Sequence, residues 1–197
     1  MTEQSRIPYK NLKTYQQAVI IYDVTVEFCE RFLEERDERF KGYKRYKLRE
    51  QIEGAARSGK QNIAEGASQG TSLKGYIKLL GVALGSLKEL SEDFEDFARQ
   101  REIEVWERTP RCEAWIKKLL FSQLERYKRD KGYKAKLPLN PSNPLDPTWA
   151  VNYLLNLINL TTFMLKNQIK SLEEKFAQEG GYTENLFKKR LRERARG

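Results

Sequence analysis

Residues 54–66 read GAARSGKQNIAEG, and the stretch admits two incompatible readings. Its first eight residues fall one short of the phosphate-cradling pattern G-x-x-x-x-G-K-[S/T]. Gly54, Gly59 and Lys60 are in place, but Gln61 stands where a hydroxyl residue would hold magnesium. A working loop of that kind follows a buried apolar strand and opens a helix. The residues in front of it here, KRYKLREQIE, are charged and helically spaced, and no later strand offers an aspartate for the metal. The glycines and the lysine are a chance match. Gly54–Lys60 reads instead as helical backbone, with small residues turned to a neighbouring helix and Arg57 and Lys60 pointing outward. Asn62–Gly66 then runs out the end of that helix, Gly66 or Gly70 stops it, and Thr71 or Ser72 caps the next.

Helical spacing extends outward from this stretch in both directions. Leu48, Ile52, Ala55, Gly59 and Ile63 form one apolar row. Upstream, Leu12, Tyr15, Val19, Tyr22, Val26, Cys29 and Leu33 alternate in steps of three and four. Downstream, Tyr76, Leu80, Ala83, Leu87, Leu90, Phe94 and Phe97 do the same, and a fourth segment, 149–178, carries Leu154, Ile158, Leu165, Ile169, Leu172 and Phe176. Such seams belong to helices packed near-parallel or antiparallel to their neighbours. The expectation is an all-α fold: an up-down antiparallel four-helix bundle over residues 1–178, followed by a basic suffix, 179–197. Gly180-Gly181 ends the fourth helix, and a last basic helix runs from about 183 to 195.

An insertion, 101–148, separates the third and fourth helices. It holds a short helix from 112 to 129 and then a strap in which Pro138, Pro141, Pro144 and Pro147 recur every third residue, the repeat of polyproline II. The strap carries the chain back to the fourth helix, with Asp146 or Thr148 near its cap. A second apolar row on the first helix, Ile21, Val24, Phe28 and Phe32, is either core wrapped on two sides or a subunit contact. Gly81 and Gly85 share a face of the third helix. They invite close approach by Ala55, Ala56 and Gly59, which would offset the roughly 1 kcal/mol that each glycine costs in a helix interior.

Composition narrows the chemistry. With 197 residues the chain supports one sizeable core, and it contains no histidine. That removes the usual general base, the commonest metal ligand and the histidine-assisted nucleophiles. Cys29 and Cys112 lie too far apart in sequence for a C-x-x-C site. No cofactor motif is present, and catalysis is not expected. No apolar run reaches the length of a membrane span, and the N-terminus lacks a secretory core, so a cytoplasmic protein is expected. Glu89, Glu92, Asp93 and Asp96 share a helical face, more often a solvated surface or a partner for arginines than a cation site.

The formal net charge is +9, which favours polyanionic partners because each neutralised phosphate releases counterions. The cations cluster. Lys44, Arg45, Lys47, Arg49, Arg57 and Lys60 lead into and along the second helix. Lys117 to Lys136 form a second group, interleaved with Tyr127 and Tyr133. Lys188, Lys189, Arg190 and Arg192 dominate the C-terminus. Tyrosines among cations suit a phosphate backbone with occasional base stacking. The candidate nucleic-acid-binding residues are therefore the six of the second helix and the four of the C-terminal helix, with RNA or single-stranded nucleic acid as ligand. A scaffold whose positive charge meets an acidic protein is the alternative.

The residues around the opening stretch also carry a resemblance. AA-x-S-x3-NIAEG (Ala55 to Gly66), a polar turn, Tyr76 and then GSLKEL (Gly85 to Leu90) resemble a bacterial four-helix-bundle family. That family includes proteins encoded by intervening sequences in large-subunit ribosomal RNA genes and the accessory variability protein of diversity-generating retroelements. EGGYTENLFKKR (Glu179 to Arg190) is similar to the tail of a four-helix-bundle suffix subgroup. The resemblance implies a homo-oligomeric ring, a pentamer by precedent, without catalysis. It also implies a role such as that of the retroelement member, which binds nucleic acid through basic surface and docks onto a reverse transcriptase. Gly59, Lys60 and Gln61 depart from the proline or small apolar residues usual between the serine and the asparagine.

Overall fold

The computed structural model describes residues 9–33, 43–69 and 72–195, with side chains in the second of these segments described from Tyr46 onward. A short 3-10 turn at Tyr9–Asn11 leads into six α-helices: α1 (Lys13–Phe32), α2 (Tyr43–Ser68), α3 (Leu73–Gln100), α4 (Pro110–Arg129), α5 (Thr148–Glu179) and α6 (Tyr182–Arg194). The described residues contain no strand.

The near phosphate loop lies wholly inside α2, so its peptide N–H groups serve the helix and cannot converge on an anion. What the stretch does instead is pack. Ile52, Ala56 and Ile63 are fully buried, and Gly59 and Gly66 complete the same face seven residues apart. A Cβ on Gly59 would lie 2.9 Å from Leu87 Cδ2, and one on Gly66 would lie 2.8 Å from Tyr76 Cδ2. Both glycines therefore set how closely α3 approaches. Ser58 Oγ and Ser86 Oγ share a hydrogen bond of 2.9 Å, and Asn62 donates to the Ser58 carbonyl at 2.9 Å. The two sequence stretches that carry the family resemblance meet at this serine pair.

Helix directions follow from such pairs. Gly66 faces Tyr76 while Gly59 faces Ala83 and Leu87, so α2 and α3 run antiparallel. Thr14 Oγ1 donates to Gln168 Oε1 and Thr161 Oγ1 to Gln17 Oε1, so α1 and α5 run antiparallel too. α2 packs on α1 and α3, and α5 packs on the same two helices, which closes a four-helix bundle; α4 lies against α1 and α5.

Two expectations change, at Gly81–Gly85 and at Gly66, and two open alternatives are decided, at the α3 cap and on α1. Gly81 and Gly85 are exposed and have nothing within 4 Å of an added Cβ. The close approach exists, but on the α3 side it falls on Ala83 and Leu87, and Gly59 supplies the missing side chain. α2 does not stop at Gly66 but continues to Ser68, because Gly66 sits in the seam with Tyr76. Ser72 caps α3 by accepting from Gly75 N–H at 2.9 Å; Gly70 and Thr71 lie outside the described residues. On α1 the second row lies deeper: Ile21, Val24 and Phe28 are fully buried and Phe32 half-buried, whereas in the first row only Cys29 and Leu33 at its end are buried and Tyr15, Val19, Tyr22 and Val26 are half-buried. Phe28 meets the rings of Phe94 and Phe97 at 5.0 Å.

The outer side of α1 is covered by α4 and by the strap. Ala135 N–H donates to Asp23 Oδ2 at 3.0 Å and Leu137 N–H to Glu27 Oε2 at 2.8 Å. Alternate N–H groups of an extended chain point the same way, which matches carboxylates one helical turn apart. The carbonyl of Lys136, facing the other way, accepts from Gln123 Nε2 of α4 at 2.7 Å. Farther along, side-chain turns interrupt any continuous polyproline repeat: Asn140 Oδ1 accepts from Ser142 N–H, and Asn143 Oδ1 from Leu145 N–H. Asp146 then accepts from both Thr148 N–H and Thr148 Oγ1, a side-chain turn that leads into α5 just ahead of its N-cap Pro147 and holds the Asp146 carboxyl below its ordinary pKa. Gly180, at φ 73°, ends α5 in backbone that favours glycine.

A buried hydroxyl of α1 stands out among the described residues. Thr25 is fully buried, and its hydroxyl has no hydrogen-bond partner there. Thr25→Val keeps the shape and removes the desolvated hydroxyl. It should raise stability by about 1 kcal/mol, or the thermal midpoint by roughly 2–4 °C. A lower midpoint by calorimetry would mean that the hydroxyl has a partner after all.

Candidate nucleic-acid interface

The basic residues singled out from sequence differ widely in availability. Lys47 and Arg57 are exposed on α2. Arg49 is only partly exposed: its Nε donates to Glu53 Oε1 at 2.7 Å. It also lines a cavity of about 610 Å³ in which Asp23, Glu27 and Glu30 face Arg31, Lys134 and Lys136, so its charge is shared with carboxylates of the same cavity. Lys44 and Arg45 belong to the first turn of α2 by backbone, and their side chains lie outside the described residues.

Lys60 does not point outward. Its ammonium sits 3.8 Å from the centre of the Tyr22 ring, a cation–π contact across the α1–α2 seam. Burial pushes its pKa down and neighbouring Arg57 adds to this, against the opposing pull of Asp23. Burial in turn raises the Asp23 pKa, against the Ala135 N–H bond, Lys60 and Lys134. Lys60 is thus engaged inside the protein, and the departure at Gly59-Lys60-Gln61 becomes intelligible: the glycine admits Leu87 and the lysine covers Tyr22.

The middle basic group is also partly spent. Lys117, Lys128 and Arg129 pair with Glu113, Glu125 and Asp130 at 3.0 Å. Arg126 lies 5.1 Å from the centre of the Tyr133 ring, and Tyr127 is half-buried, its hydroxyl pKa raised by burial. These tyrosines therefore serve packing before stacking.

The C-terminal group is the most available. Lys188, Lys189, Arg190 and Arg192 are all exposed on α6, and none is ion-paired among the described residues. Glu184 starts that helix by accepting from Gly181 N–H at 3.2 Å. The structure places α6 far from the α2 entry. The start of α2 faces the end of α1 near Cys29, whose thiol pKa is pushed far up by burial and then by Glu53. Gln168 of α5, by contrast, bonds Thr14 at the start of α1. At about 1.5 Å per helical residue, the route from Cys29 to Thr14 and on to Glu179 spans roughly 40 Å. The entry of α2 and the end of α5 that leads into α6 thus lie at opposite ends of the bundle, with Arg57 and Lys60 midway along α2.

The acidic row of α3 remains at the surface. Asp93 has its pKa raised by burial, then by Glu89 and Asp96, while Asp96 pairs with Arg99 at 2.7 Å. Among the described residues no group of three or more carboxylates and cysteines is placed to hold a metal ion, and no helix is long and apolar enough to cross a membrane.

Residues 11–104, the stretch that holds α1, α2 and α3, match the model of the 23S rRNA-intervening sequence protein family. Comparison with the curated proteins and with the solved structures gave no match. Nearly all of the insertion, together with α5 and α6, lies beyond the matched residues.

Proposed function

From a chain whose residues 11–104 are similar to the 23S rRNA-intervening sequence proteins, we propose a non-enzymatic, homo-oligomeric bundle that binds RNA or single-stranded nucleic acid. The observation that carries this reading is α6, a projecting helix with four exposed cations, Lys188, Lys189, Arg190 and Arg192. Lys47 near the other end of the bundle and Arg57 midway along α2 add further exposed cations. An oligomer would bring basic ends of several copies to one strand. Two surfaces suit self-association: Tyr182, Leu186, Phe187 and Leu191 of α6 are 46–60% exposed, and the open Gly81–Gly85 face carries Val82 at 45% exposure. A reverse transcriptase is the partner that the resemblance suggests, in the role of retroelement accessory.

The test is binding of a mixed-sequence RNA across a salt series. With α6 intact, log Kd should depend steeply on log salt. Replacing Lys188, Lys189, Arg190 and Arg192 with alanine should lower that slope by up to about 3 if all four touch phosphates of a single strand. Lys47→Ala with Arg57→Ala reads α2 separately. No binding at low salt would replace this reading with a scaffold for an acidic protein, which the apolar residues of α6 would also serve. Light scattering reads the oligomer independently.

A further inference from the structure

All three tryptophans of the chain converge on one place. Trp106 precedes α4, Trp115 lies on α4 and Trp149 opens α5. Their ring centres stand 5.6, 5.8 and 5.3 Å apart, with planes inclined at 64°, 81° and 86°. Each is only half-buried. They line a single cavity of about 540 Å³ with Glu104, Glu107 and Arg111, in the size range of small-molecule sites, roughly 300–1,000 Å³. Indoles packed merely to fill a core would be covered; these three border open space.

Each wall is backed by hydrogen-bonded polar groups. The fully buried Asn152 accepts from Trp106 N–H at 2.7 Å and donates to the Glu104 carbonyl at 2.8 Å. Trp149 stands in the first turn of α5, behind the Asp146–Thr148 turn. Trp115 packs on Tyr153, whose hydroxyl donates to Gln123 Oε1 at 2.9 Å. The site is thus held before any ligand arrives.

We propose that this cavity binds an N-methylated ammonium group. Indole is the strongest cation–π acceptor among side chains, and three mutually inclined rings around one space form the arrangement that takes quaternary ammonium ions. Two carboxylates against one guanidinium leave the rim net negative, and none of the three is ion-paired among the described residues. Glu104 also borders an adjoining cavity with Glu102 and Asp146, where Arg101 is the counter-charge. A nucleotide would bring its phosphate against these carboxylates, so the site lies outside the nucleic-acid reading and stands whether or not RNA binds. Methylation suits the cavity better than a bare ammonium, because methyl groups spread the charge over apolar surface and lower the cost of leaving water.

Because every tryptophan sits here, intrinsic tryptophan emission of the full chain reports on this site alone. Choline chloride, titrated against a matched sodium chloride control, should change the emission saturably in the millimolar range. The uncharged isostere 3,3-dimethylbutan-1-ol should bind about 10-fold more weakly. Glu104→Gln with Glu107→Gln should weaken choline several-fold at unchanged circular dichroism, and Trp106→Leu should abolish the response. A peptide carrying trimethyl-lysine, compared with its unmethylated twin and with free choline, separates a protein ligand from a small molecule. Equal response to choline and its isostere, no saturation by choline, or a stronger response to a nucleoside monophosphate would each overturn the proposal.

Discussion

Gly59→Leu should lower the thermal midpoint sharply, whereas Gly85→Ala should raise it. The first Cβ atom at position 59 would already overlap Leu87, at 2.9 Å from Cδ2 and 3.0 Å from Cγ. Leu87 is itself fully buried and cannot swing into solvent. Overpacking of this kind costs about 1–3 kcal/mol and more when the inserted chain is long. For a chain of this size, a cost near 3 kcal/mol corresponds to roughly 6–12 °C. At position 85 nothing lies within 4 Å of an added Cβ. Alanine there recovers up to about 1 kcal/mol of helix propensity, or roughly 2–4 °C. Gly85→Leu separates fold from assembly: a bulky residue should leave the isolated bundle intact and disturb only a subunit contact made by this face. Equal destabilisation at both positions, measured by calorimetry, would mean that Gly59 does not set the spacing of α2 and α3.

These two glycines show where sequence periodicity stops informing. Spacing identifies the helical rows and finds Gly59, Gly81 and Gly85 alike, since each interrupts a helix that alanine would stabilise. It does not fix the rotation of α3 about its axis. That rotation follows from Ala83, Leu87 and Leu90 filling the seam, which turns Gly81 and Gly85 to solvent. The same limit applies to α1. Both of its rows are apolar, and the deeper one is decided by α4 and the strap, whose carboxylate contacts at Asp23 and Glu27 span more than a hundred residues. A long-range contact between an acidic side chain and a backbone N–H leaves no local pattern to read.

Charge is legible as composition but not as availability. Lys47, Arg57 and the α6 cations are exposed. Lys60 and Arg49 sit in the same run of sequence but turn to Tyr22 and Glu53. Position on the helix separates them: Arg57 and Lys60 are three residues apart, yet only Lys60 lies over the seam with α1. The tryptophan cavity escapes sequence reasoning altogether. Its members come from a loop, α4 and α5, and an insertion that reads as a connector gives no reason to bring them together. The usable signal is that the three tryptophans of a 197-residue chain all fall between residues 106 and 149.

Asn152 is the residue on which that insertion depends most. Its amide is fully buried, accepts from Trp106 N–H, and donates to the carbonyls of Glu104 and Thr148, both at 2.8 Å. One side chain thereby stands in for the neighbouring strand that the extended 104–106 segment lacks. Asn152→Ala removes three hydrogen bonds and leaves backbone groups without partners. At roughly 1–3 kcal/mol for each group left buried and unpaired, partly relieved by water entry, the expected loss is about 2–4 kcal/mol, or roughly 5–15 °C. Asn152→Leu should be no better, because filling the volume does not satisfy the backbone. Asn152→Asp keeps the acceptor for Trp106 N–H and loses the donors, so its effect should fall short of the alanine variant only if the Trp106 bond dominates. Released from the clamp, Trp106 should move into water and shift tryptophan emission to the red below the unfolding transition. A small stability loss with unshifted emission would mean that the tryptophan cluster holds the 104–106 segment without the amide. The clamp would then be a consequence of that packing and not its cause.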